Sequence, residues 1–287
     1  MFEDSAFDAF FVKTVETLRP YLVDLVCIGG CANALYRHHP SAATIPFRYL
    51  GTKDSDWATP LRIPQGDRAL VADLMRQADY TEEIIGTDDR PVVKYRPNDS
   101  ALPADIEFLC PRSGLPGGRN AGGAASHPVQ AGLMAQPLRY LDLLLHRTWT
   151  LDLGRVPEFE RLRGTIIRLP NPSAYVVQKV LIRDERREDL SAAKDCYYIF
   201  EVSVIFRDCL DTLAMEYRAL EKTFGAWARK FKNSAAILFA GDSAEGPALA
   251  LKVFRDAQLN AGRNQAELTA EMICRSVSKL LDAMKEQ

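Results

Sequence analysis

Apolar positions in the N-terminal part of the chain follow two kinds of spacing. Where they recur every three or four residues the pattern predicts a helix, and where they run together or alternate with polar residues it predicts a strand. The predicted elements are a helix over 7–18, a strand over 22–28, a helix through Arg37, a strand over 47–57, a helix over 67–78 and strands over 80–85, 92–96 and 104–109. The turn at 86–89 makes the pair 80–85 and 92–96 a predicted hairpin. Short strands and helices in this order are typical of a mixed α/β sheet domain.

The pattern becomes helical from Ser173 onward. Ser173 is placed to cap a helix through Arg183, and a second helix starts at Asp189 or Ser191 and continues to about Asp208. Further helices are predicted over 210–230, 247–259 and 265–285, while segments 136–150 and 165–169 are compatible with helix or strand. The sequence therefore predicts an α+β fold, with a mixed-sheet domain over 1–172 and a helical domain over 173–287.

Composition and charge argue against a strongly basic nucleic-acid binder, a zinc protein and a membrane protein. Hydrophobic residues make up 47% of the chain, charged residues 26%, and the formal net charge is −2, so a nucleic-acid partner would need a local basic patch. The six cysteines form no CxxC pair, which favours reduced thiols over a zinc site. The N-terminus lacks the pattern of a signal peptide, and no apolar run is long enough for a membrane span. We expect a cytoplasmic protein that has no membrane partner.

Glycines mark the first candidate site. Gly29 and Gly30 follow a predicted strand and open a predicted helix, where unpaired backbone N–H groups favour an anion such as phosphate. A second glycine-rich segment, 117–123, does not connect a strand to a helix at the spacing of a dinucleotide fingerprint, so we interpret it as a flexible loop.

Carboxylates mark the second candidate site. Asp54 and Asp56 stand two positions apart on a predicted strand, which places both on one face. Asp105, on a later strand and followed by Glu107, would add a third ligand for magnesium, which prefers hard oxygen ligands. Alone, this Asp-x-Asp spacing more often marks solvated surface residues. Together with the glycines and Asp105 it indicates a metal site for nucleotide chemistry.

The order of glycine pair, helix, Asp-x-Asp strand and further Asp strand resembles the nucleotidyltransferase fold of the DNA polymerase β superfamily. Within it, segments 30–36 and 52–56 are similar to those of abortive-infection nucleotidyltransferases, the toxins of type IV-like toxin–antitoxin pairs. The resemblance covers residues 21 to about 205, including 169–175, and departs from the pattern at Cys31, where many members carry Ser or Thr. It implies a nucleotidyltransferase domain over 1–172 and an antitoxin protein as a partner.

The resemblance also implies that Lys179 and Asp195 support nucleotide binding. From the residues alone, Lys179 shares a helix face with Arg183 and Arg186, which is either a solvated basic face or a contact to the triphosphate. Asp195 either favours the helix dipole or orients Lys179. The basic excess between Arg161 and Arg187 is also suited to RNA.

These features predict a Mg2+-dependent nucleotidyltransferase that moves a nucleoside monophosphate from an NTP to a hydroxyl of an RNA end, a protein or a small molecule. Asp54, Asp56 and Asp105 are the expected metal ligands, with Asp105 also activating the acceptor. The expected nucleotide contacts are Gly29, Gly30, Lys179 and Asp195. The alternative is a catalytically inactive regulator that binds a nucleotide or a protein with the same fold.

Overall fold

The chain folds into two compact units. In the computed structural model, residues 5–45, 47–85, 92–102, 104–113, 126–183, 189–261 and 268–285 are described. The first unit comprises Met1–Ala34 and Gly51–Pro170, and the second comprises Leu35–Leu50 and Asn171–Gln287. The first unit contains the sheet and the second contains the long helices, which confirms the predicted fold class. The domain boundary at residue 172 stays a prediction.

The first unit alternates helices and strands. Its helices are α1 (Ser5–Leu18), α2 (Gly29–Leu35), α3 (Val71–Gln77) and α4 (Leu141–Leu145). Its strands are β1 (Val26–Ile28), β2 (Asp54–Ala58), β3 (Tyr80–Ile85), β4 (Val92–Pro97), β5 (Asp105–Pro111), β6 (His127–Gln130), β7 (Leu133–Leu138), β8 (Trp149–Asp152) and β9 (Ile166–Leu169). Of the two segments left open between helix and strand, 136–150 contains both, and 165–169 contains strand β9.

A seven-stranded mixed sheet organises this unit. Five strands run in the order β1-β2-β5-β4-β3, β7 pairs with the end of β5, and β6 pairs with β7. Strand β5 is central, parallel to β2 and β7 and antiparallel to β4. Strands β8 and β9 form a separate antiparallel pair.

Strand β2 divides its residues between the core and the opposite face of the sheet. Ser55 and Trp57 are buried, and Trp57 stacks on Phe11 of α1 with ring centroids 6.4 Å apart. Asp54 and Asp56, which alternate with them along the strand, lie on the other face because side chains alternate along a strand. The amphipathic pattern of β2 therefore presents its carboxylates away from the core.

Two predicted strands begin several residues later in the structure. The strand predicted over 47–57 begins only at Asp54, because Leu35–Leu50 belongs to the second unit and is not available to extend it. The strand predicted over 22–28 begins at Val26, because the 3-10 helix Arg19–Tyr21 continues as a turn through Asp24. The hairpin is confirmed as the antiparallel pair β3–β4, while its turn at 86–89 and the glycine-rich segment 117–123 lie outside the described residues.

The second unit is built from long helices. They are α5 (Pro172–Arg183), α6 (Asp189–Ile205), α7 (Leu210–Thr223), α8 (Gly225–Leu238), α9 (Glu245–Ala261) and α10 (Ala270–Lys285). The single helix predicted over 210–230 is in fact two, separated at Phe224, which has non-helical φ and ψ of −124° and 42°. In the described part of the chain, every helix is too short or too polar to cross a membrane.

Candidate functional site

Two adjacent strands bring the predicted carboxylates together. The parallel register of β2 and β5 sets Asp54 opposite Asp105 and Asp56 opposite Glu107. All four side chains lie on one face of the sheet, because residues that stand two apart or directly opposite share a face. The structure therefore gathers Asp54, Asp56 and Asp105, which the sequence placed on two separate predicted strands.

Gly29 lies directly against one of these carboxylates. It follows β1, whose Ile28 is the register partner of Asp56. A Cβ added to Gly29 would lie 2.2 Å from Oδ2 of Asp56, and the φ of Gly29 is +64°, which L side chains rarely adopt. The glycine thus makes room for the Asp56 carboxylate. Gly30 follows as a buried residue of α2.

Two cationic side chains of β4 stand on the same face. The ammonium nitrogen of Lys94 lies 2.6 Å from Oε1 of Glu107, 3.4 Å from Oδ2 of Asp105 and 3.9 Å from Oδ1 of Asp54. Arg96 donates through Nε to Oδ1 of Asp105 at 2.8 Å. Asp54, Asp105 and Glu107 are therefore held in one charged network.

The network shifts the pKa of Lys94 and of Asp105. Burial opposes the charge of Lys94, but the hydrogen bond to Glu107 and the nearby carboxylates outweigh it and raise the pKa of Lys94. Burial likewise opposes the charge of Asp105, yet Arg96 and Lys94 lower the pKa of that carboxyl. Near neutral pH both groups are charged.

Lys94 and Arg96 were not among the residues predicted for the site. The available signal was their spacing, because they stand two apart on the strand predicted over 92–96 and so share a face. What the sequence did not give was the register of β4 on β5, which sets Lys94 opposite Glu107.

The donor set suits a hard cation. In the described residues, no group of three or more His, Cys, Asp or Glu side chains is arranged to hold a metal ion. Carboxylates of Asp54, Asp105 and Glu107 nevertheless already surround one positive group, the Lys94 ammonium, within 3.9 Å. Their anionic oxygens are the ligands that Mg2+ prefers.

A cavity of about 510 Å³ opens beside the carboxylates. It is lined by Asp54 and Asp105, which stand opposite each other on β2 and β5, and by polar side chains of the β4–β5 connection. The lining residues are Lys53, Asp54, Arg96, Pro97, Asp99, Ser100, Leu102 and Asp105. A small polar group entering it would meet Asp54 and Asp105 directly.

Cys31 is a buried residue of α2. Its Sγ donates to the carbonyl oxygen of Asp54 at 3.4 Å, within the first unit. Burial raises the pKa of the Cys31 thiol, and the neighbouring Cys27 raises it further, so the thiol stays protonated. Cys31 thus supports the backbone at the start of β2.

The second unit contains the remaining pair of predicted site residues. Lys179 Nζ donates to Asp195 Oδ1 at 2.7 Å, and both side chains are buried. The ammonium also lies 5.3 Å from the ring centroid of Tyr175 and 5.2 Å from that of Tyr198. The interpretation of Lys179 as part of a solvated face is therefore wrong, because Asp195 and two aromatic rings hold its charge inside the unit.

Other parts of the predicted basic face are only partly described. Arg183 forms an ion pair with Glu245 of α9, whereas Arg186 and Arg187 lie outside the described residues. The roles of Lys179 and Asp195 in nucleotide binding stay predictions.

Comparison with known proteins places the chain in one family. A protein-family model described as "Nucleotidyltransferase" matches residues 12–220, which is more than half of the chain. No curated protein and no solved structure matches it. The matched range contains Gly29, Asp54, Asp56 and Asp105, together with the Lys179–Asp195 pair.

Proposed function

Because the chain belongs to this nucleotidyltransferase family and is thus a transferase with a nucleotide substrate, we propose that it transfers a nucleoside monophosphate from an NTP to a hydroxyl acceptor and requires Mg2+. One observation carries the proposal. Asp54 stands opposite Asp105 on parallel strands, while Asp56 on the same face lies against a glycine that has no room for a side chain.

Asp54, Asp56 and Asp105 are the residues that would hold Mg2+. Bound there, the ion would neutralise the charge that builds up on the phosphates during transfer. The three carboxylates are hard oxygen donors and stand on one sheet face, which supports this assignment.

The side chain of Asp105 is proposed to orient the acceptor hydroxyl. Arg96 and Lys94 keep Asp105 ionised, so its carboxylate is able to accept the hydrogen bond of an acceptor hydroxyl and orient the oxygen for attack on the α-phosphorus. The hydroxyl proton passes to the Asp105 carboxylate as the new bond joins that oxygen to the α-phosphorus. The bond from the α-phosphorus to the oxygen that bridges to the β-phosphate breaks, and pyrophosphate leaves with that oxygen. The cavity beside Asp54 and Asp105 supports entry of the acceptor from this side.

Gly29 and Gly30 are proposed to contact the phosphates through the backbone, and Lys179, oriented by Asp195, through its charge. These roles rest on the resemblance, since the ion pair of Lys179 shows only that this side chain contacts Asp195. Variants Lys179→Met and Asp195→Asn would test them by the KM for the NTP, with folding checked by circular dichroism.

The central test is transfer of labelled nucleotide. The protein is incubated with each α-labelled NTP, Mg2+ and total RNA or total protein, and transferred label and released pyrophosphate are measured. We expect Asp54→Asn and Asp56→Asn to lower the rate by on the order of 10²- to 10³-fold, because each removes a charge that stabilises the transition state. Asp73→Asn on α3, whose exposed carboxylate pairs with Arg76, is the matched control and should retain activity.

Equal rates for the wild type and Asp54→Asn would contradict the proposal. Nucleotide binding that depends on Mg2+, without transfer to any acceptor tested, would instead favour the inactive regulator.

The biological role as a toxin with an antitoxin partner is a further part of the proposal and rests on the resemblance. Expression of the wild type should then arrest growth of the host cells, and Asp56→Ala should relieve the arrest. Arrest that is equally strong with Asp56→Ala would separate any toxicity from nucleotidyl transfer.

A further inference from the structure

Lys94 occupies a central position among the carboxylates of the candidate site. Its ammonium nitrogen lies within 3.9 Å of oxygens from Asp54, Asp105 and Glu107. The side chain is 20% exposed, so much of its stem is covered. The Lys94 ammonium of β4 therefore contacts carboxylates of two other strands, β2 and β5.

The position of Lys94 is fixed by the backbone. In the antiparallel register of β4 and β5, Lys94 stands directly opposite Glu107, and Glu107 stands opposite Asp56 across β2. Opposite residues on one face have neighbouring Cβ atoms, so the lysine stem starts beside the carboxylates. The contact is thus built into the sheet and not supplied by a loop.

Among the described strand residues of this face, carboxylates outnumber cationic groups. On β2, β3, β4 and β5, the face carries five carboxylates and two cationic groups. The carboxylates are Asp54, Asp56, Glu83, Asp105 and Glu107, and the cationic groups are Lys94 and Arg96. Arg96 is committed to Asp105 and Glu83, at 2.8 Å and 2.9 Å. Among the ion pairs of the described residues, the cationic partner of Asp54 is Lys94.

We propose that Lys94 is a resident counter-cation: its ammonium holds Asp54, Asp105 and Glu107 together in the metal-free protein and is displaced toward Glu107 when a divalent cation binds Asp54 and Asp105. This rests on the proposed function, which makes those aspartates metal ligands. Lys94 is a positioning residue, because it acts through the carboxylates. It prevents their mutual repulsion, and it opposes metal binding by its own charge.

Two consequences separate this role from a purely structural one. Loss of the ammonium should destabilise the metal-free protein, because the clustered carboxylates then lack their counter-charge. The same change should strengthen metal binding, because the divalent ion no longer competes with a cation. A residue that only supported the fold would weaken metal binding when removed.

The test measures binding of Mn2+ alone to the full chain, by titration with detection of free Mn2+ by electron paramagnetic resonance. Lys94→Met keeps a stem of similar length without charge, Lys94→Gln is a second neutral variant, and Lys94→Arg keeps the charge. We expect the neutral variants to bind Mn2+ on the order of tenfold more tightly than the wild type, from the loss of one nearby unit charge. Lys94→Arg and the exposed α9 control Lys252→Met should bind as the wild type does.

Thermal unfolding gives the second readout. In EDTA the neutral variants should have a lower Tm than the wild type, and the rise in Tm on adding Mn2+ should be larger for them. Asp54→Asn/Asp56→Asn introduced into Lys94→Met should abolish the tight binding, which assigns it to this site.

The outcomes are distinguishable. If the wild type binds Mn2+ and a folded neutral variant binds it no more tightly, the role of Lys94 is overturned and the proposed function stands. If neither the wild type nor the Lys94 variants bind Mn2+, the metal site of the proposed function fails, and the counter-cation role fails with it.

Discussion

The absent side chain of Gly29 is one of the smallest determinants of the candidate site. Its φ of +64° and the 2.2 Å separation between an added Cβ and Asp56 Oδ2 are independent reasons for glycine. Glycines before a helix are usually interpreted as contacts to phosphate. Here the glycine also determines where a carboxylate of the same site is able to stand.

Gly29→Ala should therefore displace the Asp56 carboxylate and strain the backbone. We expect a loss of nucleotidyl transfer on the order of 10²-fold, because misplacing a reactive group by about 1 Å has an effect of this size. Initial rates of pyrophosphate release would measure it. The matched control is Gly51→Ala, since Gly51 has no atom within 4 Å of an added Cβ. Equal rates for the two variants would show that the fit of Gly29 to Asp56 has no part in activity.

Sequence periodicity predicted some residues of the site but not their partners. Asp54 and Asp56 could be assigned to one face because alternation along a strand is local. The pairing of Lys94 with Glu107 depends on how two strands align, and the burial of Lys179 depends on the position of Asp195, 16 residues away. Such non-local pairs are not encoded in the spacing of apolar residues.

At the scale of elements, the start of α5 shows how a local signal can be assigned to the wrong residue. Ser173 was predicted as the cap, but the side chain of Asn171 accepts the hydrogen bond from the N–H of Ala174 at 2.8 Å. Ser173 instead donates through Oγ to the carbonyl oxygen of Leu213 at 2.7 Å. Both residue types favour helix starts, so the sequence alone did not separate them.

Asn171→Ala should lower the free energy of unfolding by about 1–2 kcal/mol, because the first turn of α5 loses its side-chain acceptor inside a buried region. Chemical denaturation followed by circular dichroism would measure the loss. Asn171→Ser restores an acceptor suited to the cap and should recover much of the stability. If the serine variant is as unstable as the alanine variant, the amide acts through contacts other than the cap.

At the scale of the whole molecule, the chain enters the second unit twice. The segment Leu35–Leu50 joins it before the sheet is complete, and the chain returns at Asn171. Within that unit, the N–H of Ala43 donates to the carbonyl oxygen of Ile205 at 2.7 Å, and Arg37 forms an ion pair with the buried Glu201. The sequence predicted a simple division after residue 172, because these partners are far apart along the chain.

Arg37→Met should loosen this segment. Glu201 is 1% exposed, so removing its partner leaves a buried charge, at a cost of about 3–5 kcal/mol. Hydrogen exchange should become faster over 35–50, and the free energy of unfolding should fall. Arg275→Met, which breaks an exposed pair with Glu271, should cost less than about 1 kcal/mol. Unchanged exchange over 35–50 would show that the Arg37–Glu201 pair does not hold the segment.

The early entry of Leu35–Leu50 into the second unit has a consequence for synthesis on the ribosome. Ala43 emerges long before Ile205, its hydrogen-bond partner, and at 5–20 residues per second the wait is roughly 8 to 30 s. During that interval Phe47, which later packs between Phe200 and Phe254, has none of these partners. The nascent chain thus carries an exposed aromatic segment that a chaperone is able to bind until the helices of the second unit have been made.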